Sequence, residues 1–161
     1  MNKAYKAELY RGKVKKTDNQ KKKHVTQMTK EEIAYLKKEI KMFPTWKAKA
    51  SKHLKKKCVS LDLDDVQDTL LARNIEDFIV EYNETLNASG QMERRILIRV
   101  ERPKMVRFKT RKKKIVEAMA HLCFVVSLDT WEIVTAYWNK ESDEHAQLDW
   151  RRYSKHLRIV K

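Results

Sequence analysis

A chain of 161 residues has room for one domain with a genuine core and a flexible arm, but two domains would be crowded. Its 37 Lys and Arg against 22 Asp and Glu give a net charge of +15, well past the ~2–8 that keeps a small domain soluble. That excess marks a polyanion as the expected partner, nucleic acid first and an anionic membrane surface second. No apolar run approaches the ~18 residues of a membrane span and no secretory leader is read, so a cytoplasmic protein without membrane contact is expected.

The two cysteines, Cys58 and Cys123, form no CxxC pair, and the five histidines show no metal-ligand spacing. Both thiols are therefore read as reduced and structural. Only Gly12 and Gly90 occur, which excludes a Gly-rich phosphate loop or a dinucleotide fingerprint. Neither a metal nor a cofactor is expected.

Residues 1–28 carry Lys15, Lys16 and the run Lys21-Lys22-Lys23 with few apolar residues and no sustained period, the pattern of a basic flexible arm. From Met1 to Lys57 nineteen Lys and Arg face five Asp and Glu, so nearly all of the net charge lies in the first third. A single α+β domain is expected over residues 29–161. Thr29-Lys30-Glu31-Glu32 has the form of a capping box, and Ile33, Leu36 and Ile40 follow at helical spacing, predicting a helix from Lys30 to Met42 that Pro44 ends. A second helix is expected from Thr45 to Lys57, with His53 framed by lysines. A third, starting near Ser60 or Asp62, carries the stripe Leu63, Val66, Leu70 and Leu71.

From Glu76 the period changes to two. Phe78 to Asn83 and Arg94 to Val100 read as a hairpin around Asn87–Gly90, with Ile96, Ile98 and Val100 alternating against Arg95, Leu97 and Arg99. Glu101 to Lys114 is heavily basic and reads either as an exposed loop or as a strand extension followed by a turn of helix over Ile115 to Ala120. Leu122–Leu128 and Trp131–Trp138 then form a second hairpin about Asp129-Thr130. A tight turn there would favour Gly where the chain has Trp131, which lies near the tip and could be exposed. Ile133, Thr135 and Tyr137 are expected on one face of the last strand and Val134, Ala136 and Trp138 on the other. Asn139, Asp143, His145, Asp149, Arg151, Arg152 and Tyr153 follow as a polar cluster, with a short helix over Glu144–Leu148 and a last strand near Leu157–Val160.

The fold expected is α+β, with the N-terminal helices packed on one face of a four- to five-stranded antiparallel sheet. The free face or its rim would receive His53, Arg94, Arg95, Thr135, Tyr137 and His145. RNA cleavage without metal needs a base for the ribose 2′-hydroxyl, an acid for the leaving 5′-oxygen and a cation for the phosphate. Two histidines with Arg or Lys fit those roles. Arg94 and Arg95 are neighbours in a strand and point to opposite faces, so one of them is expected to pair with a carboxylate such as Glu81 or Glu93. His24, His121 and His156 are read as bystanders, and Trp46, Trp138 and Trp150 as packing residues.

The order of a Lys-flanked His on a helix, strands IVEYN and RRILIR, then CFVVSLDTWEIVTAYWN, DEH and LDWRRY resembles the metal-independent RNase toxins of the barnase, EndoU, colicin and RelE group. The resemblance covers about Trp46 to Tyr153. It implies a metal-independent endoribonuclease acting on tRNA or mRNA, with an acidic inhibitor protein or the ribosome as a further partner. By position His53 resembles the helix-borne His, Arg94 or Arg95 the strand-borne Arg, and Thr135 or Tyr137 the residue of the penultimate strand. Phosphate contacts are expected from Lys21, Lys22, Lys23, Lys52, Lys55, Lys56, Arg107, Arg111, Lys112 and Lys113. The rival expectation is a basic RNA- or DNA-binding protein of phage or plasmid type that performs no chemistry.

Overall fold

A computed structural model of the chain describes residues 21–43, 49–50, 63–87, 89–142, 153–154 and 156–160. Helix α1, Lys30–Met42, begins as its sequence predicts: the Thr29 hydroxyl accepts the Glu32 N–H at 3.2 Å and the Glu32 carboxylate accepts the Thr29 N–H at 3.1 Å. Its inward stripe, Leu36 and Ile40, is buried, and the helix closes on buried Phe43. Helix α2, Leu63–Leu71, buries Val66 and Leu70 and leaves Leu71 exposed, so the apolar stripe does not extend to Leu71.

Strands β1 (Lys22–His24), β2 (Lys49–Ala50), β3 (Ile79–Leu86), β4 (Met92–Arg99), β5 (Lys104–Lys109), β6 (Ile115–Ser127) and β7 (Glu132–Lys140) form one sheet among the described residues. Its order is β1-β3-β4-β6-β7-β2, with β5 on the N-terminal half of β6. All pairs are antiparallel except β2 with β7. The sheet thus exceeds the expected four or five strands. The extra strands β1 and β2 are too short and too basic to show an alternating pattern, and tertiary pairing alone makes them strands.

Four further expectations are corrected. The basic arm ends earlier than residue 28, because Lys22–His24 pairs with Glu81–Asn83 and buries Lys23 and His24. Of the helix expected over Thr45–Lys57 only Lys49 and Ala50 are described, and they lie in β2 beside Glu132 and Ile133. The stretch Ile115–Ala120 is strand, since Lys104–Lys109 supplies it with a full antiparallel partner. The short helix expected at Glu144–Leu148 lies outside the described residues. Leu157–Val160 is not strand, although buried Ile159 still joins the core.

Two register shifts decide which side chains share a face. Between β6 and β7, Val125 pairs with Thr135 but Val126 pairs with Ile133, so Val134 is the extra residue of a bulge. Ile133 thereby joins Ala136 in the main core and leaves the face of Thr135 and Tyr137, where uninterrupted alternation would have put it. A similar shift between Ile79 and Glu81 sets Ile79 beside Tyr82.

The main core gathers Leu36 and Ile40 of α1, Val66 and Leu70 of α2, and Tyr82, Ile96, Ile98, Phe124 and Val126 of the sheet. A second, smaller cluster of Val80, Leu97 and Cys123, flanked by Val125 and Tyr137, lies on the opposite sheet face.

Candidate nucleic-acid interface

The β5–β6 hairpin is the most exposed basic feature of the described chain. β4 pairs with β6 only over Cys123–Ser127 and β7 only over Ala120–Val126, so Ile115–Met119 has β5 as its only described strand partner, with one further backbone bond from Glu141 N–H to Met119 O at 2.8 Å. A two-stranded ribbon results, ~19–20 Å long for six residues at 3.2–3.4 Å each. Eight cations between Glu101 and Met119 face only Glu101 and Glu117, and Arg107 is paired with Glu117 at 2.9 Å. Arg111, Lys112, Lys113 and Lys114 are exposed at the tip.

The tip closes through Lys113 N–H to Thr110 O at 2.9 Å and Thr110 N–H to Lys114 O at 2.8 Å. Lys113 holds φ 61°, the left-handed conformation that a three-residue hairpin loop needs and that Gly would adopt without strain. On one ribbon face Met105, Ile115 and Met119 stand exposed among Arg107, Lys109 and Glu117. On the other, Phe108 lies 4.9 Å beneath the Lys140 ammonium.

A second polar assembly occupies the sheet face of the smaller cluster. Cross-strand register aligns His24, Glu81, Leu97, Val125 and Thr135 in one row, Arg99, Cys123 and Tyr137 in the next, and His121 with Asn139 beyond. Glu81 accepts from the Tyr153 hydroxyl and lies 3.3 Å from the Lys22 ammonium, while the Tyr153 ring sits 5.2 Å from that of His24. His24 Nδ1 accepts the Thr26 N–H at 3.2 Å. His121 Nδ1 lies 2.8 Å from the Val100 carbonyl, which requires the proton on that nitrogen and leaves Nε2 an acceptor in the neutral ring. Asn139 is 1% exposed, yet neither atom of its amide has a partner among the described residues, and Arg99 Nε is likewise buried without one.

The expected site residues divide between these places. Arg95, Thr135 and Tyr137 share the polar face, and Arg95 holds Glu93 in a fork at 3.1 and 3.3 Å. Arg94 points to the other side. Its guanidinium grips Asp129 at 2.7 and 3.0 Å, Glu39 at 3.0 Å and the Tyr35 hydroxyl at 2.6 Å. The bonds to Asp129, outweighing burial, push Arg94 further above its already high value. Asp129 is held below the ordinary carboxylate range because these bonds outweigh its own burial. His53, His145, Lys52, Lys55 and Lys56 lie outside the described residues. Lys21 is exposed, Lys22 half-buried on Glu81 and Lys23 buried against Glu32, while Arg107, Arg111, Lys112 and Lys113 lie on the ribbon.

Arg99 and His121 join the polar face without having been singled out in the sequence as site residues. The available signal was the period of two, which sets Arg99 two places from Leu97 and His121 two places from Cys123. No family model matches the chain, and no curated protein or solved structure matches it either.

Proposed function

We propose that this protein binds nucleic acid, RNA first, and that the β5–β6 ribbon is the principal contact. The observation that carries the reading is the ribbon itself: a narrow two-stranded projection with exposed Arg111, Lys112, Lys113 and Lys114 at its tip and cations along its length. Such a ribbon fits a groove or tracks a phosphate backbone, and its affinity comes from counterion release. Replacing the four tip cations by Ser in the full chain should lower RNA affinity at 0.1 M salt. The slope of log K against log salt should become shallower by ~0.7–0.9 for each phosphate that keeps its counterions. An unchanged slope would remove the ribbon from the interface.

A second reading, metal-independent endoribonuclease, is favoured by the polar face. Arg95, Thr135 and Tyr137 share it with Arg99, His24 and His121, the residue types that proton transfer and phosphate stabilisation require. In this reading α1 and α2 cover the face bearing Ile96, Ile98 and Phe124, as the resemblance to the barnase, EndoU, colicin and RelE group implies, and substrate meets the opposite face at half-buried Arg95, Thr135 and Tyr137, with His24, Arg99 and His121 buried on the same side. The substrate would be tRNA or mRNA in the cytoplasm, and an acidic inhibitor protein would mimic its phosphates. Arg94, committed to two carboxylates, serves the turn and not the chemistry. Incubation of labelled total RNA in excess EDTA should yield 2′,3′-cyclic phosphate ends, with Tyr137→Phe or His121→Ala slowing cleavage at retained affinity. Intact RNA, or 3′-hydroxyl ends, would leave binding alone.

A further inference from the structure

We infer that a cleft at the root of the ribbon receives one unpaired nucleobase of a single strand, with an adjoining phosphate on Arg102 and Lys104. The inference rests on the nucleic-acid reading and goes beyond it by naming the form of nucleic acid bound. The cleft, of about 240 Å³, is lined by Trp138 and Phe78 as aromatic surfaces, by Asp68 and Asn74 as polar groups, and by Arg102 and Lys104 as cations.

Each part has a position fixed by the fold. Trp138 pairs across the strands with Leu122, so its ring lies on the sheet face of the main core yet stays only half-buried. Phe78 closes the 3-10 turn Ile75–Asp77 and is likewise half-buried. Asp68, exposed on α2, offers a carboxylate, and Asn74, bonded to Asp77 through its Nδ2 at 3.3 Å, keeps a carbonyl oxygen as acceptor. Arg102 and Lys104 stand on either side of Pro103 where the chain enters β5, so the cleft adjoins the root of the ribbon on the face that Lys104 shares with Phe108.

Aromatic surface, hydrogen-bonding edge and cation within one small cleft are the three elements that recognise a nucleotide: the π-face, the base edge and the phosphate. The volume falls below the ~300–1,000 Å³ of pockets for larger ligands and suits a single ring system. A paired base presents neither its π-faces nor its Watson–Crick edge, so the occupant must be unpaired. Two acceptors on the edge, Asp68 and the Asn74 carbonyl, match the adjacent N1–H and N2–H donors of guanine and select it over adenine, cytosine, uracil and thymine, each of which sets an acceptor beside its donor.

The test uses the full chain with short single strands of RNA and of DNA, their duplexes, and single strands carrying one abasic position moved along the sequence. Single strands should bind more tightly than duplexes, and one abasic position should cost roughly tenfold, the order that one base–aromatic stack contributes. Trp138→Ala should lose that sensitivity, Trp138→Phe should keep most of it, and Asp68→Ala should erase the preference for guanine over uracil. If Trp138→Ala does not fold, the abasic scan on the unaltered chain and the exposed-site variant Asp68→Ala decide alone. A flat abasic profile, with single strands and duplexes bound equally and both lost on replacing the tip cations, overturns the cleft while leaving the ribbon reading intact. Absence of binding to any of these nucleic acids overturns both, and the RNA and DNA arms show which sugar the site prefers.

Discussion

The Lys23 ammonium of β1 lies 2.7 Å from the Glu32 carboxylate of α1, and only 6% of either side chain is exposed. Glu32 is the more heavily used partner, since it also accepts the backbone N–H of Thr29 and, at 3.1 Å, that of Ile159. One carboxylate therefore ties the edge strand, the start of the first helix and the C-terminal segment together. It does so where unpaired charge is costly.

Glu32→Ala should accordingly destabilise the chain by about 3–5 kcal/mol, because it leaves Lys23 buried and unpaired. Adding Lys23→Met should recover a large part of that loss. Urea unfolding of the two variants measures the difference, and equal stability of the single and double variants would mean that the ammonium reaches water when Glu32 is gone.

The same carboxylate sets an acid limit. Burial opposes ionisation of Glu32, but the Lys23 hydrogen bond and the two backbone donors outweigh it and hold the carboxyl below its ordinary value. Glu76 is lowered in the same direction by its bond from Lys37 against a smaller opposing effect of burial, and Asp129 is lowered because its several interactions with Arg94 together outweigh burial. A carboxyl depressed by folding contributes stability that is complete above its unfolded value, ~4.3 for Glu, and vanishes as pH falls through the folded value. Thermal melts should therefore drop steeply below about pH 4, and Glu32→Gln should flatten that drop while lowering the melting temperature at pH 7.

Arg94 and Asp129 predict a separation of stability from binding. Arg94→Ala removes the clamp between β4 and the β6–β7 turn and should cost about 1–3 kcal/mol, the range for hydrogen bonds to charged groups. RNA affinity should change by less than about twofold, because the paired guanidinium lies at the opposite end of β6 from the ribbon. A large loss of affinity in a folded variant would return Arg94 to the interface.

At the ribbon tip, two neighbouring substitutions remove the same charge with opposite structural effects. Lys113→Gly relieves a left-handed conformation that costs roughly 1 kcal/mol for a residue with a Cβ, whereas Lys112→Gly only adds backbone freedom. Exchange of the Thr110 amide hydrogen, which bonds to Lys114 O, should slow in the first variant and quicken in the second. The same direction in both would show that turn strain does not govern the ribbon.

Local chemistry made much of this molecule legible in its sequence. The capping box Thr29-x-x-Glu32, the helical spacing of Leu36 and Ile40 and the period-two runs of β3, β4, β6 and β7 depend on neighbours a few residues away, so composition and order suffice to read them. Trp131 belongs with these: its tight turn favours glycine, and the residue holds φ 58° with its side chain 44% exposed. The opposed directions of Arg94 and Arg95 likewise follow from alternation alone, whereas the choice of Glu93 for Arg95, and of Asp129 and Glu39 for Arg94, does not.

Only the tertiary structure decided the rest. Lys22–His24 has no strand pattern and becomes a strand because Glu81–Asn83 offers it an edge, which turns part of a basic tail into buried framework. Glu101–Lys114 reads either as loop or as a strand extension leading to a turn of helix over Ile115–Ala120, yet Lys104–Lys109 and Ile115–Ala120 are each other's strand partner, and pairing satisfies backbone groups that charge density says nothing about. The bulge at Val134 moves Ile133 from the polar face to the core, a shift of one residue that reverses every face assignment before it. Such choices rest on contacts between residues far apart in the chain, whose energies no local pattern contains.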